Sequence, residues 1–193
     1  LRNLQQTDLG FDPTRRLAIN VETRRTSYEK QGMTVQMTDE MLRRVRGIPG
    51  VRSAAFGSIV PIYGGRTSYD IVTVRGEQPL ADGDADTWFA AVTPDYFTSL
   101  GIPLLAGRDI GRSTAPAGHI TSREVVVNDQ FAKKFFSNRN PIGQVFEDHD
   151  EGDTLATENR VIGVVGGVKM IGLRAPARAM YFVPVTDHDW PYL

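Results

Sequence analysis

Short strand-like runs constrain this chain most: at least six are legible, set against only two convincing helices. Strands are predicted at 17–21, 51–58, 70–75, 88–92, 124–127, 144–147, 160–165 and 180–185. A helix is predicted from the capping-box residues Thr26 and Glu29, carrying Met33, Met37, Met41 and Val45 at four-residue spacing, with Leu42 and Ile48 widening the stripe. Arg43, Arg44 and Arg46 suit its C-terminal dipole, and Gly47 with Pro49-Gly50 ends it. The Met stripe reads as core packing against a sheet rather than as a binding groove. With the strands at 17–21 and 51–58 this helix makes a strand–helix–strand unit. Asn128 is the expected N-cap of the second helix, 129–136, whose Phe131, Phe135 and Phe136 share a buried face. A shorter helix, 95–100, is expected after Thr93-Pro94, with Thr93 as N-cap and Gly101 as its stop. Residues 102–109 read as an extended connector, and 111–122 as an exposed loop. The mixture indicates an α+β fold rather than regular alternation, and no internal repeat is evident.

At 193 residues, 40% of them apolar, the chain can bury a core as one ordinary domain or two small ones. Lys and Arg total 22 against 23 Asp and Glu, so a net charge of -1 offers no electrostatic footprint for nucleic acid. No apolar run approaches the roughly 18–20 residues that span a bilayer. With no cysteine, thiol nucleophiles, disulfides, Cys-ligated zinc and iron–sulfur clusters are all excluded. The chain opens on Leu1 with no basic-then-apolar leader, and so reads as a segment of a longer polypeptide.

Chemistry finds little support in the motifs. Asp148, Asp150, Glu151 and Asp153 invite a calcium reading, but an EF-hand loop starting at Asp148 needs glycine sixth, where Asp153 stands, and glutamate twelfth, where Asn159 stands. That stretch reads as a solvated acidic loop. The Gly163, Gly166, Gly167, Lys169 stretch lacks the Gly-Lys-Ser/Thr of a phosphate loop and reads as a tight turn after a buried strand. His119, His149 and His188 are too far apart in sequence to form a helical metal pair. Ser53 and Ser58 lack the flanking glycines of a nucleophile elbow. No catalytic, cofactor-binding or metal-binding residue is assigned, and no cofactor is implied.

The segment from Thr93 to Asp109, Thr-Pro-Asp-Tyr-Phe-Thr-Ser-Leu-Gly-Ile-Pro-Leu-Leu-Ala-Gly-Arg-Asp, closely resembles the extracytoplasmic core domain of MacB/FtsX-type ABC transporter permeases. The segments 125–136, 140–144, 161–169 and 180–184 agree in order, and 1–13 resembles the stretch after the first membrane helix of such permeases. The resemblance implies a mixed-sheet core with a porter-like strand–helix–strand unit, 14–62 and 161–193, plus an inserted smaller α+β lobe, 63–160. It implies a non-catalytic periplasmic domain of an inner-membrane protein, transmitting ATPase-driven motion of membrane helices for export or extraction of a cargo. The implied partners are its own flanking membrane helices, a second permease subunit, a cytoplasmic ABC ATPase and a periplasmic cargo or adaptor; nucleic acid is not among them. Contact surfaces are expected on the loops 111–122 and 148–153 and on the turn 61–65. The other reading is a soluble extracytoplasmic sensor that takes a small ligand or peptide in a pocket lined by Trp88, Tyr96 or Phe97.

Overall fold

The computed structural model describes residues 8–21, 35–62, 64–65, 68–76, 85–112, 122–137, 139–149, 156–170 and 172–185. In chain order the described elements are α1 (Val35–Arg46), β1 (Ile59–Val60), β2 (Gly64–Gly65), β3 (Ser68–Val74), β4 (Asp86–Val92), α2 (Tyr96–Leu100), β5 (Leu104–Gly107), β6 (Ser122–Asn128), α3 (Asp129–Phe136), β7 (Val145–His149), β8 (Thr157–Val165) and β9 (Met180–Pro184). The fold is α+β. Strands β1 and β2 form a small hairpin, and the others share one mixed sheet in the order β5-β8-β6-β9-β4-β3-β7.

That sheet closes on itself. β8 is long enough to take β7 along its first half and β5 along its second, on the same side, while β6 runs along the other. Because β7 also pairs with β3, the strands β8-β6-β9-β4-β3-β7 form a closed ring. The pairs β4–β9 and β6–β8 are parallel and the rest antiparallel.

Valine-rich strands fit this ring because both of its faces are covered. One apolar cluster draws Val72, Ala91, Val125, Val127, Phe146, Val161, Tyr181 and Val183 from all the ring strands, and is therefore its interior. Helix α3 drives Phe131 and Phe136, both almost fully buried, into the same cluster, with the Phe131 ring tilted against Phe146 at 4.9 Å between centroids. The other cluster lies on the outer face of β4, β9, β6 and β8, where α2 lays Tyr96 and Phe97 over Val92, Val126, Ile162 and Phe182. An irregularity between Val125 and Val126 inserts Ile162 as an extra residue in β8, so Val161 and Val164 face inward while Ile162 and Val165 face outward.

Several expectations change. Residues 17–21 form no strand and join no ladder, and Leu17 and Ile19 are 84% and 70% exposed. Residues 51–56 form no strand either; only Gly57 bridges to Val92, and β1 begins at Ile59. The helix between them is real, yet no ladder joins its flanks, so among the described residues the strand–helix–strand unit does not build a sheet. Met37 and Met41 pack against the core with Leu42 buried, whereas Val45 and Ile48 are exposed; Met33 and the capping box lie outside the described residues. The connector 102–109 contains β5, because Leu104–Gly107 pair with β8. Strand β8 runs through the border expected at 160/161, and β9 shares its sheet with β3 and β4.

Candidate functional site

Two stretches of chain flanking the ring, residues 56–58 and Val185, are bonded to residues 91–93 at the end of β4. Coming in, the Ser58 N–H donates to the Ala91 carbonyl at 2.9 Å and the Thr93 N–H donates to the Phe56 carbonyl at 3.0 Å. Two side chains double these bonds: Ser58 Oγ accepts from the Ala91 N–H at 3.1 Å, and Thr93 Oγ1 accepts from the Phe56 N–H at 2.8 Å. Going out, the Val185 N–H donates to the Val92 carbonyl at 3.0 Å. Residues 91–93 thus grip the chain on both sides.

The packing around the junction follows from glycine and tyrosine. A Cβ on Gly57 would fall 2.4 Å from the Tyr96 ring, so only glycine lets the incoming chain lie this close. Tyr96 is 3% exposed and its hydroxyl donates to the Ile59 carbonyl at 2.7 Å, while burial pushes its phenol pKa up. Thr93 is not the N-cap expected of it. Its hydroxyl is committed to Phe56, and α2 instead starts at Asp95 in a left-handed conformation with no side-chain cap. Arg46 at the end of α1 ties the same region down, with Nη2 2.7 Å from the Ala54 carbonyl and 3.0 Å from Asp95 Oδ2.

Trp88, Tyr96 and Phe97 are all packed in the outer core cluster, Phe97 edge-on to Phe182 at 4.9 Å, so they do not line a cleft. Asp148 is not solvated: it is 4% exposed inside the ring and paired with Arg123. Residues 150–153 lie outside the described part, as do His119 and His188. Among the described residues no group of His, Asp and Glu could hold a metal ion. Ser58 is an acceptor for the backbone rather than a nucleophile. Gly163 serves close packing, since a Cβ there would lie 2.2 Å from the Arg108 carbonyl oxygen across the β5–β8 pair. On the turn 61–65, Ile62 is exposed and its N–H donates to the Met170 carbonyl; on the loop 111–122, Arg112 pairs with Asp39 of α1. A surface depression beside α1, lined by Gln36, Asp39, Glu40, Arg43, Arg46 and Arg112, is crossed by this pair and by Arg43–Glu40.

Sequence reasoning missed one buried polar group. Asp70 (β3), Arg123 (β6), Asp148 (β7), Asn159 (β8) and Tyr181 (β9) meet inside the ring. The available signal was phase: Asp70 lies two residues before Val72, Arg123 before Val125 and Asn159 before Val161, each on the inward-facing register of its strand.

Residues 3–190 match the family described as the MacB-like periplasmic core domain. The chain belongs to that family. Among solved structures, the MacB-like domain is similar to the periplasmic region of MacB from Actinobacillus actinomycetemcomitans, at 17% identity over 79% of this chain and 56% of that one, TM-score 0.48. It is also similar to the extracellular domain of the ABC-type transporter YknZ from Gram-positive bacteria, at 15% identity over 76% and 62%, TM-score 0.45. A domain assigned to a permease protein of Porphyromonas gingivalis gives 15% identity over 78% and 59%, TM-score 0.46. The chain spans 56–62% of the length of these structures. No curated protein matches. No helix among the described residues is long and apolar enough to cross a membrane.

Proposed function

We propose that this MacB-like domain is the extracytoplasmic, non-catalytic module of an ABC transporter permease in the cytoplasmic membrane, and that it carries motion from membrane helices to the periplasmic side. The observation that carries this reading is the double grip on residues 91–93: incoming residues 56–58 and outgoing Val185 are both bonded to one end of β4. A displacement of the connections relative to the membrane reaches the ring at residues 91–93, and also where the Asp12 N–H donates to the Leu100 carbonyl and the Lys169 N–H to the Leu9 carbonyl, and the closed ladder turns it into movement of a whole body. Family membership supplies the setting. The partners in this reading are the domain's own flanking membrane helices, a second permease subunit, a cytoplasmic ATPase and a cargo or adaptor on the far side.

The division into a core, 14–62 and 161–193, and an inserted lobe, 63–160, belongs to the proposal too. In this reading the two parts share the ring, since β8 and β9 pair with β4, β6 and β7.

The test uses the full permease with its ATPase, reconstituted in membranes, with a nitroxide label at Arg174→Cys, an exposed position. The distance between labels on the paired subunits is expected to change between nucleotide-free and ATP-trapped states. Inserting a flexible Gly-Ser segment after Val185 is expected to abolish the change while ATP hydrolysis continues. An inter-label distance indifferent to ATP in the unaltered permease would contradict the proposal.

A further inference from the structure

Residues 8–16 lie on the outside of the ring as a strap, and among the described residues two backbone hydrogen bonds join them to it. The Lys169 N–H, just past β8, donates to the Leu9 carbonyl at 3.1 Å, and the Asp12 N–H donates to the Leu100 carbonyl at the end of α2 at 3.0 Å. Between the two, Phe11 is partly buried against the outer apolar cluster. The crossing is close: a Cβ on Gly10, whose φ is +76°, would lie 2.0 Å from the Gly167 carbonyl oxygen, and one on Gly167 would lie 1.9 Å from Gln130 Oε1 of α3. The strap is thus fitted to the 166–169 turn, and that turn to α3. Gln130 Oε1 is buried with no donor, so the seat itself contains an unmet acceptor.

The polar side chains of the strap bond within it. Asp8 Oδ1 accepts from the Gly10 N–H at 2.9 Å, and the Asp12 carboxylate accepts from the Thr14 N–H at 2.9 Å, the Thr14 hydroxyl at 2.6 Å and Arg16 Nη1 at 3.0 Å. Arg16 Nη1 also donates to the Thr14 carbonyl at 2.9 Å. All of these bonds are local in sequence and survive if the strap lifts away in one piece. None of residues 8–21 is buried. The grip at 91–93 is built the other way: Ala91, Val92, Thr93 and Val185 are each no more than 6% exposed, and the Ser58 and Thr93 side chains double its backbone bonds. Local opening is easiest where few buried contacts and solvent-exposed backbone bonds hold a segment, which describes the strap and not the grip.

We propose that residues 8–16 are a releasable latch, which lifts from the outer face as one piece while the ring stays closed, and that the Gly10–Gly167 crossing sets how readily it seats. Opening breaks the two backbone bonds and uncovers the part of the outer cluster beneath Phe11, and the ladder β8-β6-β9-β4-β3-β7 uses neither. This inference stands on the contacts of the strap alone and not on the transport reading, since a domain with no role in transport would open in the same way. Within that reading, the latch makes the N-terminal attachment the compliant one and leaves 91–93 as the stiff one.

The experiment is native-state amide hydrogen exchange, read residue by residue by NMR, on the 193-residue chain and on Gly10→Ala, with and without about 1 M urea. In the unaltered chain the Asp12 and Lys169 amides are expected to show matching protection, about 100-fold or more below that of Thr93 and Val185. Lifting the strap exposes little surface, so exchange at Asp12 and Lys169 is expected to change by less than about twofold in urea, while that at Thr93 and Val185 rises roughly tenfold or more. Gly10→Ala is expected to strip Asp12 and Lys169 of most of their protection and to leave Thr93 and Val185 protected. Unlike protection at Asp12 and Lys169, exchange at either with the rate and urea dependence of Val185, or protection unchanged in Gly10→Ala, would overturn the proposal. If Gly10→Ala does not fold, the strap is not separable from the ring and the proposal falls with it.

Discussion

Ser58 and Ala91 are joined twice, by the Ser58 N–H on the Ala91 carbonyl at 2.9 Å and by the Ala91 N–H on Ser58 Oγ at 3.1 Å. Ala91 is 1% exposed, so its N–H has no recourse to water once that hydroxyl is removed. Ser58→Ala is therefore expected to cost about 1–3 kcal/mol, which for a chain of this size lowers the melting temperature by roughly 2–12 °C. A thermal melt followed by circular dichroism checks it. An unchanged midpoint would show that the incoming chain does not depend on this bond.

Gly57→Ala tests the same junction from its steric side. The added methyl would start 2.4 Å from the Tyr96 ring, which is hemmed in by Phe97 at 5.5 Å and tied to Ile59 by its hydroxyl. The tyrosine cannot swing away without losing a buried bond, so a loss of about 1–3 kcal/mol is expected in urea unfolding. The double variant with Tyr96→Phe, free to shift, is expected to lose less than the sum of the two single changes.

Asn128 supports three bonds at the β6–α3 boundary. Its Oδ1 accepts from the N–H groups of Phe131 at 2.8 Å and Met180 at 3.0 Å, and its Nδ2 donates to the Arg178 carbonyl at 2.6 Å. An ordinary helix cap is worth about 1 kcal/mol. At 1% exposure, Asn128→Ala is expected to exceed that, at roughly 3 kcal/mol by denaturant titration, because buried groups on two elements lose their partners. Asn128→Asp keeps both acceptor contacts but sets a carboxylate oxygen against the Arg178 carbonyl, and at neutral pH is expected to cost at least as much as Asn128→Ala.

Glu40 on α1 accepts from Arg43 and from Arg44, and these bonds lower its pKa to about 2. A carboxyl depressed in the fold contributes stability above its unfolded pKa and loses it as pH falls towards 2. Proton-detected titration of its side chain is expected to show a midpoint near 2, and Glu40→Gln is expected to flatten the acid limb of the stability curve. A midpoint near 4.5 would show that the arginines do not hold it.

What the sequence made legible is what local physics decides. The apolar run in 124–127 and the Asn128 cap placed β6 and α3, and the Phe131, Phe135 and Phe136 face proved buried. Residues 17–21 alternate as well, but alternation specifies a strand only where a neighbour supplies the ladder, and none of the described strands pairs with them. Thr93 misled for a related reason: its hydroxyl could have capped α2, yet the more distant Phe56 N–H takes it. Asp148 looked like part of a solvated acidic run, because nothing nearby in sequence announces Arg123, 25 residues away, as its partner. The double grip at 91–93 likewise joins segments far apart in the chain, and no periodicity encodes it.

In the proposed function the ring moves as one body, with residues 91–93 among its attachments to the rest of the chain. Amide hydrogen exchange on the reconstituted permease and its ATPase, with and without trapped ATP, tests it most directly. Exchange in β6, β8 and β9 is expected to be the same in both states and the Ser58, Thr93 and Val185 amides to stay protected, with changes confined to segments outside the ring. Deprotection of β6 and β8 on ATP binding would mean that the ring itself opens, and would contradict the account.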